Sequence, residues 1–505
     1  MHITYGDTIC YHMDADAVDL NPLTSNDIYS EIIYRFIFNG LIGFDSNHKV
    51  IGDLAESWDI SKDDLEVIFH LRQGVKWHDG TDFTASDVRF TYQKIMDPAT
   101  MSKKLYNFVP VETIEVLDRS SIRVKYRFRF ADRLKIWDVC IVPEHLYDNR
   151  DFSFSDHPVG TGPFRFIDWK PHEQILLEAN PDFFKGRPFI SRFLFKYIPD
   201  FTVAFQALRN SELDMMFLNA DQYVKQADPE QFLKLYDIIR YTSYMTVLGY
   251  NMQKPVFKDR RVRLAVASAI DRESIVRDTF GGYGYVPARP FSPLYRKYDN
   301  EIRPLPFHSE YSRLLLKDAG WADTDGDGIL ERDGEKLRFQ AIVVHGNDKR
   351  LLAAEQVKAY LAEVGIDMQL EFLELGAFMR RIYMKDFDAL LTGMIMEDDP
   401  YLYLHSSQIT DLSKGRMGMN LSSFSDPRMD DLLDRARQTV NEKERNSILS
   451  DFHMLFNDEQ PATVLYVDET ILAVSRRIRN ISVASDGVFR ELEKWYVPKE
   501  MQKYR

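Results

Sequence analysis

The sequence predicts an α/β protein of two or more lobes, and three observations carry that prediction. At 505 residues the chain is too long to pack around one hydrophobic core, because single cores stop growing at about 250–300 residues and longer chains divide. Past residue 338, runs patterned as strand, helix and strand follow one another, the arrangement of a sheet covered by helices. Between the halves, residues 246–282 read as a short apolar strand that ends one layer and hands the chain to fresh helices, as a crossing between two bodies should.

That crossing has legible parts. An apolar strand over residues 246–250 leads through a loop with Pro255 to a helix whose N-cap is Asp259. Val262, Ala265, Val266, Ala269 and Ile270 recur at the helical interval and form one apolar stripe. Asp271 caps a second helix, which Gly281-Gly282 ends.

Composition narrows the function. Apolar residues at 45% and charged residues at 28% are the balance of a folded globular chain. No run approaches the roughly 18 apolar residues of a membrane helix. The net charge, 64 minus 78 or −14, argues against sequence-independent nucleic-acid binding, which needs concentrated Lys and Arg. The Arg-rich segment 123–133 alternates with Tyr126, Phe128 and Phe130 and reads as the solvent face of a strand. Cys10 and Cys140 could pair in an oxidising compartment or stay as buried thiols, the latter being favoured.

Taken in order, the first half opens with a strand over residues 3–10. A polar turn, Leu20-Asn21-Pro22-Leu23-Thr24-Ser25, then precedes a helix from Asp27 with Ile28, Ile32, Ile33, Phe36 and Ile37 on one face. Residues 51–92 hold Leu54-Ala55-Glu56-Ser57-Trp58, Phe69-His70-Leu71-Arg72, Val75-Lys76-Trp77-His78-Asp79-Gly80 and Phe83-Thr84-Ala85-Ser86-Asp87-Val88: a strand, a hairpin-like return, a tight turn and a helix capped by Thr84 or Ser86. His78 beside Asp79 lacks a nucleophile or metal partner and reads as a turn residue packed near Trp77. Pro158-Val159-Gly160-Thr161-Gly162-Pro163-Phe164 is a return loop. It is no dinucleotide fingerprint, since Pro163 forbids the helix start that would hold a phosphate. In the second half, residues 281–298 form a long loop, a length that is usually functional. Further strands are expected at 338–344, 368–373, 387–393 and 465–474, and helices at 351–364, 427–440 and 442–456.

No enzymatic constellation emerges. There is no Gly-x-Ser-x-Gly elbow and no phosphate loop, and His172-Glu173 lacks the second His of a zinc protease. Asp323, Asp325 and Asp327 have the 1, 3, 5 spacing of a calcium loop, with Glu331 or Asp333 substituting for the missing twelfth ligand. A plain acidic turn explains the same residues. Residues 393–408 end an apolar strand in Met394, Ile395 and Met396, then place Glu397, Asp398 and Asp399 in a row before Pro400, Tyr401, Tyr403 and His405.

Read together, Tyr250-Asn251, Pro255-Val256-Phe257, the Asp259 to Ala265 run and Ala269-Ile270-Asp271-Arg272, with the 51–92 block and the 158–164 loop, resemble the large solute-binding proteins of peptide-type ABC importers, extracytoplasmic family 5. The resemblance implies a two-lobed periplasmic-binding-protein-like fold with two crossings: a discontinuous first lobe, 1–249 plus 468–505, with a subdomain inserted at about 45–165, and a second lobe, 250–467. It implies hinge closure on a ligand, no catalysis, no cofactor beyond a structural calcium, a monomer outside the cytoplasm and delivery to an ABC permease. Residues 1–3 carry no export signal, so a mature or trimmed chain is expected. Ligand contacts implied are Asn21, Thr24 and Ser25 at the cleft mouth, Met394, Ile395, Met396, Glu397, Asp398, Asp399, Tyr401, Tyr403 and His405 along the acidic segment, and Asn420 and Phe424 beside it. An oligopeptide or dipeptide is the leading ligand, with an oligosaccharide, a metal chelate or a hydrolase substrate as alternatives.

Overall fold

Tyr11 and Met13 are fully buried on a strand, Gly6–Met13, that is buried on both faces from Ile9 onward, the mark of a central strand in a covered sheet. The computed structural model describes residues 4–25, 27–147, 153–154, 157–219, 222–223, 229–241, 244–288, 303–395, 399–411, 418–483 and 487–504. The chain forms two compact units, Met1–Tyr241 with Thr470–Arg505, and Thr242–Glu469.

The first unit holds a seven-stranded sheet in the order Tyr236–Tyr241, Thr470–Ser475, Met215–Leu218, Gly6–Met13, Ile190–Tyr197, Gln174–Ala179, Phe164–Lys170. The returning strand Thr470–Ser475 lies between two first-half strands and is antiparallel to both. A buried ion cluster anchors it: Arg477 donates to Asp214 Oδ1 at 2.6 Å, to Asp7 and to the Thr8 carbonyl, and Lys503 Nζ reaches Asp214 at 3.3 Å. Three distant pieces of chain thereby share one set of charges. A separate antiparallel sheet, Ala55–Ile60, Glu66–Leu71, Ser121–Tyr126 and Val111–Asp118, packs with helix Ala85–Met96, which Thr84 and Asp87 close in a capping box. The helix expected from Asp27 is Ile28–Ile37 with Asp27 as its N-cap, but the buried face is Tyr29, Ile33, Tyr34, Phe36 and Ile37, leaving Ile28 exposed. Cys10 and Cys140 are buried free thiols.

The second unit is a six-stranded sheet in the order Gly284–Tyr285, Ala462–Asp468, Tyr244–Tyr250, Ala389–Ile395, Arg338–Val344, Asp367–Leu373. Helix Arg260–Ala269, capped by Asp259, buries every residue from Val262 to Ala269, so its apolar stripe lies inside a wholly covered helix. Two expectations about the crossings change. The strand expected to close the first lobe belongs to the second unit, because residues 244–250 pair on both edges, with Ala389–Ile395 and Ala462–Asp468. The return expected as one strand over 465–474 is two strands in two sheets, Ala462–Asp468 and Thr470–Ser475, separated by Glu469. Among the described residues no helix is long and apolar enough to cross a membrane.

Candidate functional site

The strand Ala389–Ile395 is paired along its whole length with Tyr244–Tyr250, but on its other edge it meets Arg338–Val344 only through Ala389, Leu390 and Leu391. The reason is local. Strand Arg338–Val344 runs out, turns at Gly346 with φ +98° and enters helix Asp348–Ala362, whose N-cap Asn347 accepts from Arg350 N at 2.9 Å. Among the described residues, the edge of 392–395 therefore has no strand beside it, and its alternate backbone N–H and C=O groups face outward. This is the carboxyl end of parallel strands, where open α/β sheets bind ligands.

Arg350 stands over that edge. A Cβ on Gly393 would come 2.6 Å from Arg350 Nη2, so the absence of a side chain there admits the guanidinium. Among the described residues the Arg350 side chain makes no ion pair, and its Nε is buried without a hydrogen-bond partner. Lys349 beside it lies over the Phe280 ring at 5.3 Å. The first turn of a 15-residue helix adds its own positive end. Sequence reasoning missed Arg350, since a basic residue in a helix's first turn looks like an ordinary solvated one; the glycine it packs on is 43 residues away.

Of the acidic run, Met396, Glu397 and Asp398 lie outside the described residues. Asp399 is engaged by the protein itself. Its Oδ2 accepts from Arg437 Nε at 2.8 Å, with the Arg437 side chain only 7% exposed, and its Oδ1 caps Tyr401 N at 3.1 Å. Arg437 lies 4.1 Å over the Tyr401 ring, and His405 stacks on that ring at 4.2 Å. His405 Nδ1 hydrogen-bonds Ser407 Oγ at 2.7 Å, and its Nε2 is 3.6 Å from Asp434. The run from Asp399 to His405 is thus a stacked buttress at the end of the strand. Met394, Tyr401 and Tyr403 pack partly against the core that holds Phe424 and Met429. Asn420 is fully buried and organises its loop, donating to the carbonyls of His405 at 3.2 Å and Phe424 at 2.9 Å.

In the first unit, Asn21 Oδ1 accepts from Leu23 N and Thr24 Oγ1 donates to Asp19 at 2.6 Å, so both serve their own turn. Ser25 Oγ is buried with no partner among the described residues. His78 does not bond to Asp79: its Nδ1 accepts from Gly160 N at 3.3 Å and its Nε2 donates to Gly162 O at 3.0 Å, while Asp79 pairs with His145. Burial holds the His78 imidazole at about 4. The carboxylates of Asp323, Asp325, Asp327 and Glu331 gather within 4.8 Å of one another. Lys336 supplies a cation there, to Asp327 and, at 3.2 Å, to Asp325, and Glu331 accepts from Thr324 N at 2.8 Å.

Comparison with known proteins agrees with this architecture. The family described as bacterial extracellular solute-binding proteins, family 5 Middle, matches residues 49–411. The chain is 29% identical over 496 residues to the oligopeptide-binding protein AppA of Bacillus subtilis, covering 95% of this chain and 89% of AppA. It is 27% identical over 455 residues to di/tripeptide-binding protein 2 of Pseudomonas aeruginosa, covering 84% and 82%. Among solved structures, AppA in complex with a nonapeptide superposes with a TM-score of 0.85 at 27% identity, over 99% of this chain and 100% of that one. NikZ of Campylobacter jejuni in complex with Ni(L-His) gives a TM-score of 0.84 at 26% identity, over 97% and 99%. This chain has the two-lobed periplasmic-binding-protein fold of those two structures.

Proposed function

This chain belongs to the bacterial extracellular solute-binding proteins of family 5, and from that premise we propose that it captures peptides for an ABC importer and passes them to the membrane permease without chemical change. The observation that carries the peptide reading is the open edge of residues 392–395 with Arg350 beside it. An extended peptide laid on that edge finds ladder partners for its own backbone, an affinity that does not depend on side-chain identity. Its terminal carboxylate meets a guanidinium whose fork matches two oxygens, next to a helix N-terminus. A sugar has no amide ladder to offer and would leave the edge unpaired. The names of the relatives, oligopeptide- and di/tripeptide-binding proteins, support the same choice.

Magnitudes bound the claim. A micromolar affinity needs about 8 kcal/mol. Ladder bonds at about 1 kcal/mol net each and one charge-assisted bond at about 1.5–3 kcal/mol reach roughly half of it. Burial of ligand side chains supplies the remainder at about 25 cal/mol per Å2. Titration calorimetry with alanine peptides of three and five residues, and with cello- and manno-oligosaccharides, tests the proposal: heat from the peptides is expected, and heat from the sugars alone would overturn it. Hydrolysis of the peptides on long incubation would overturn the capture-only role.

A further inference from the structure

The turn after Pro400 and helix Pro427–Gln438 bring an imidazole and two carboxylates together. Asp430 and Asp434 stand four residues apart on that helix and so share one face. His405 meets them there, its Nε2 3.8 Å from Asp430 Oδ1 and 3.6 Å from Asp434 Oδ2. The histidine is 8% exposed, and among the described residues its Nε2 is buried with no hydrogen-bond partner, although buried ring nitrogens ordinarily have one. The rest of the group is held in place. His405 Nδ1 lies 2.7 Å from Ser407 Oγ and 3.0 Å from Ser407 N, the Asn420 amide donates to the His405 carbonyl, and the ring stacks on Tyr401. Asp430 accepts from Ser406 N at 2.9 Å and from the Ser406 hydroxyl. The Asp434 side chain is half exposed and, among the described residues, makes no hydrogen bond and no other ion pair, so the group opens to solvent on that side. Arg437, the cation on the Tyr401 ring, is already paired with Asp399.

We infer that His405, Asp430 and Asp434 form a binding site for a first-row divalent transition metal of the zinc class, with water as the fourth ligand. One imidazole and two carboxylates suit such an ion, whereas calcium and magnesium take oxygen ligands. Zinc binds imidazole nitrogen and carboxylate oxygen at about 2.0–2.2 Å, so two of its ligand atoms at the tetrahedral angle stand about 3.4 Å apart. The separations of 3.6 and 3.8 Å fall within a few tenths of an ångström of that geometry, and the half-exposed Asp434 side chain can close the difference. For Nε2 to coordinate, the ring proton must sit on Nδ1. There the Ser407 hydroxyl accepts it in place of the bond from Ser407 N, giving the outer hydrogen bond that metal-bound histidines keep. A bound ion ties helix Pro427–Gln438 to the His405 turn. The carboxylates around residues 323–331 are a different group, occupied by Lys336 and without an imidazole.

The test titrates Zn2+ by calorimetry, and Co2+ by visible absorption, into the full chain freed of affinity tag and chelator. His405→Gln, Asp434→Asn and Asp325→Asn are measured beside wild type, with folding checked by circular dichroism. Wild type is expected to take up one Zn2+ per chain and to give the intense Co2+ bands of a four-coordinate site. Losing an outer partner of a metal ligand already costs about 10–100-fold, so Asp434→Asn should weaken zinc at least about tenfold. Its half-exposed position keeps the fold out of question. His405→Gln should abolish the Co2+ bands, and Asp325→Asn should change neither signal. No zinc uptake by wild type would overturn the assignment. So would uptake and Co2+ bands that survive both His405→Gln and Asp434→Asn, which would place the ion on other histidines or on the 323–331 loop.

Discussion

Replacing Asp399 by Asn separates a structural acid from a ligand-binding one. In the folded chain Asp399 accepts from Arg437 at 2.8 Å, and the two side chains are 19% and 7% exposed. Removing one partner of a fully buried pair costs about 3–5 kcal/mol. Here two features reduce that. Asn keeps one carbonyl oxygen, enough for Tyr401 N or Arg437 Nε but not both, and Arg437 retains the Tyr401 ring face, a contact worth about 0.5–2 kcal/mol. The expected loss is about 2 kcal/mol, measured by urea denaturation followed by far-UV circular dichroism. Peptide affinity should change equally for trialanine and for its acetylated form, since an indirect shift of the strand end does not read the amine. A variant as stable as wild type that loses affinity for the free-amine peptide alone would refute this reasoning and return Asp399 to the ligand.

Four other outcomes are expected. Arg477→Gln strands Asp7 and Asp214 in the first unit with only Lys503 near Asp214. It should cost about 3–5 kcal/mol, read by tryptophan fluorescence, because every tryptophan except Trp321 lies in that unit; a loss under about 1 kcal/mol would contradict the network. His78, held by burial at about 4 against an ordinary 6.5, makes the unfolded chain bind more protons between those values, so stability should fall by about 3 kcal/mol as pH drops through that window. His78→Gln should flatten the fall, and an unchanged pH profile would exclude His78 as its source. The Cys140 thiol, pushed by burial up to about 12, should resist maleimide at pH 8 until the chain unfolds, and fast native labelling would show the site to be open. At the 323–331 loop a calcium ion must displace Lys336 from Asp325 and Asp327; calcium should therefore raise the melting temperature of Lys336→Ala more than that of wild type, and no rise in either would exclude the loop as a calcium site.

Local signals were legible where they depend on neighbours in the chain. Asp259, Asp271 and Thr84 cap the helices they were expected to cap, because a cap bonds backbone two or three residues away. The apolar runs near 246–250 and 387–393 form strands. Their sheet neighbours were not legible: strand 244–250 reads alone as the end of one layer, and only its two partners place it inside the second unit. The acidic run shows the same limit. Three contiguous acids suggest a cation receptor, yet the residue that takes up Asp399 is Arg437, on a helix 38 positions further on.

The sequence alone determined the class of protein, because composition, caps, periodicity and motif order are local properties that survive without coordinates. It also determined which segment ends in an open strand, though not that the edge is open. Tertiary structure alone decided which charges are taken up within the fold. Arg437 takes up Asp399, while Gly393 lets Arg350 close over the strand. A charge's availability depends on what lies within a few ångströms of it, and those neighbours come from elements distant in the chain.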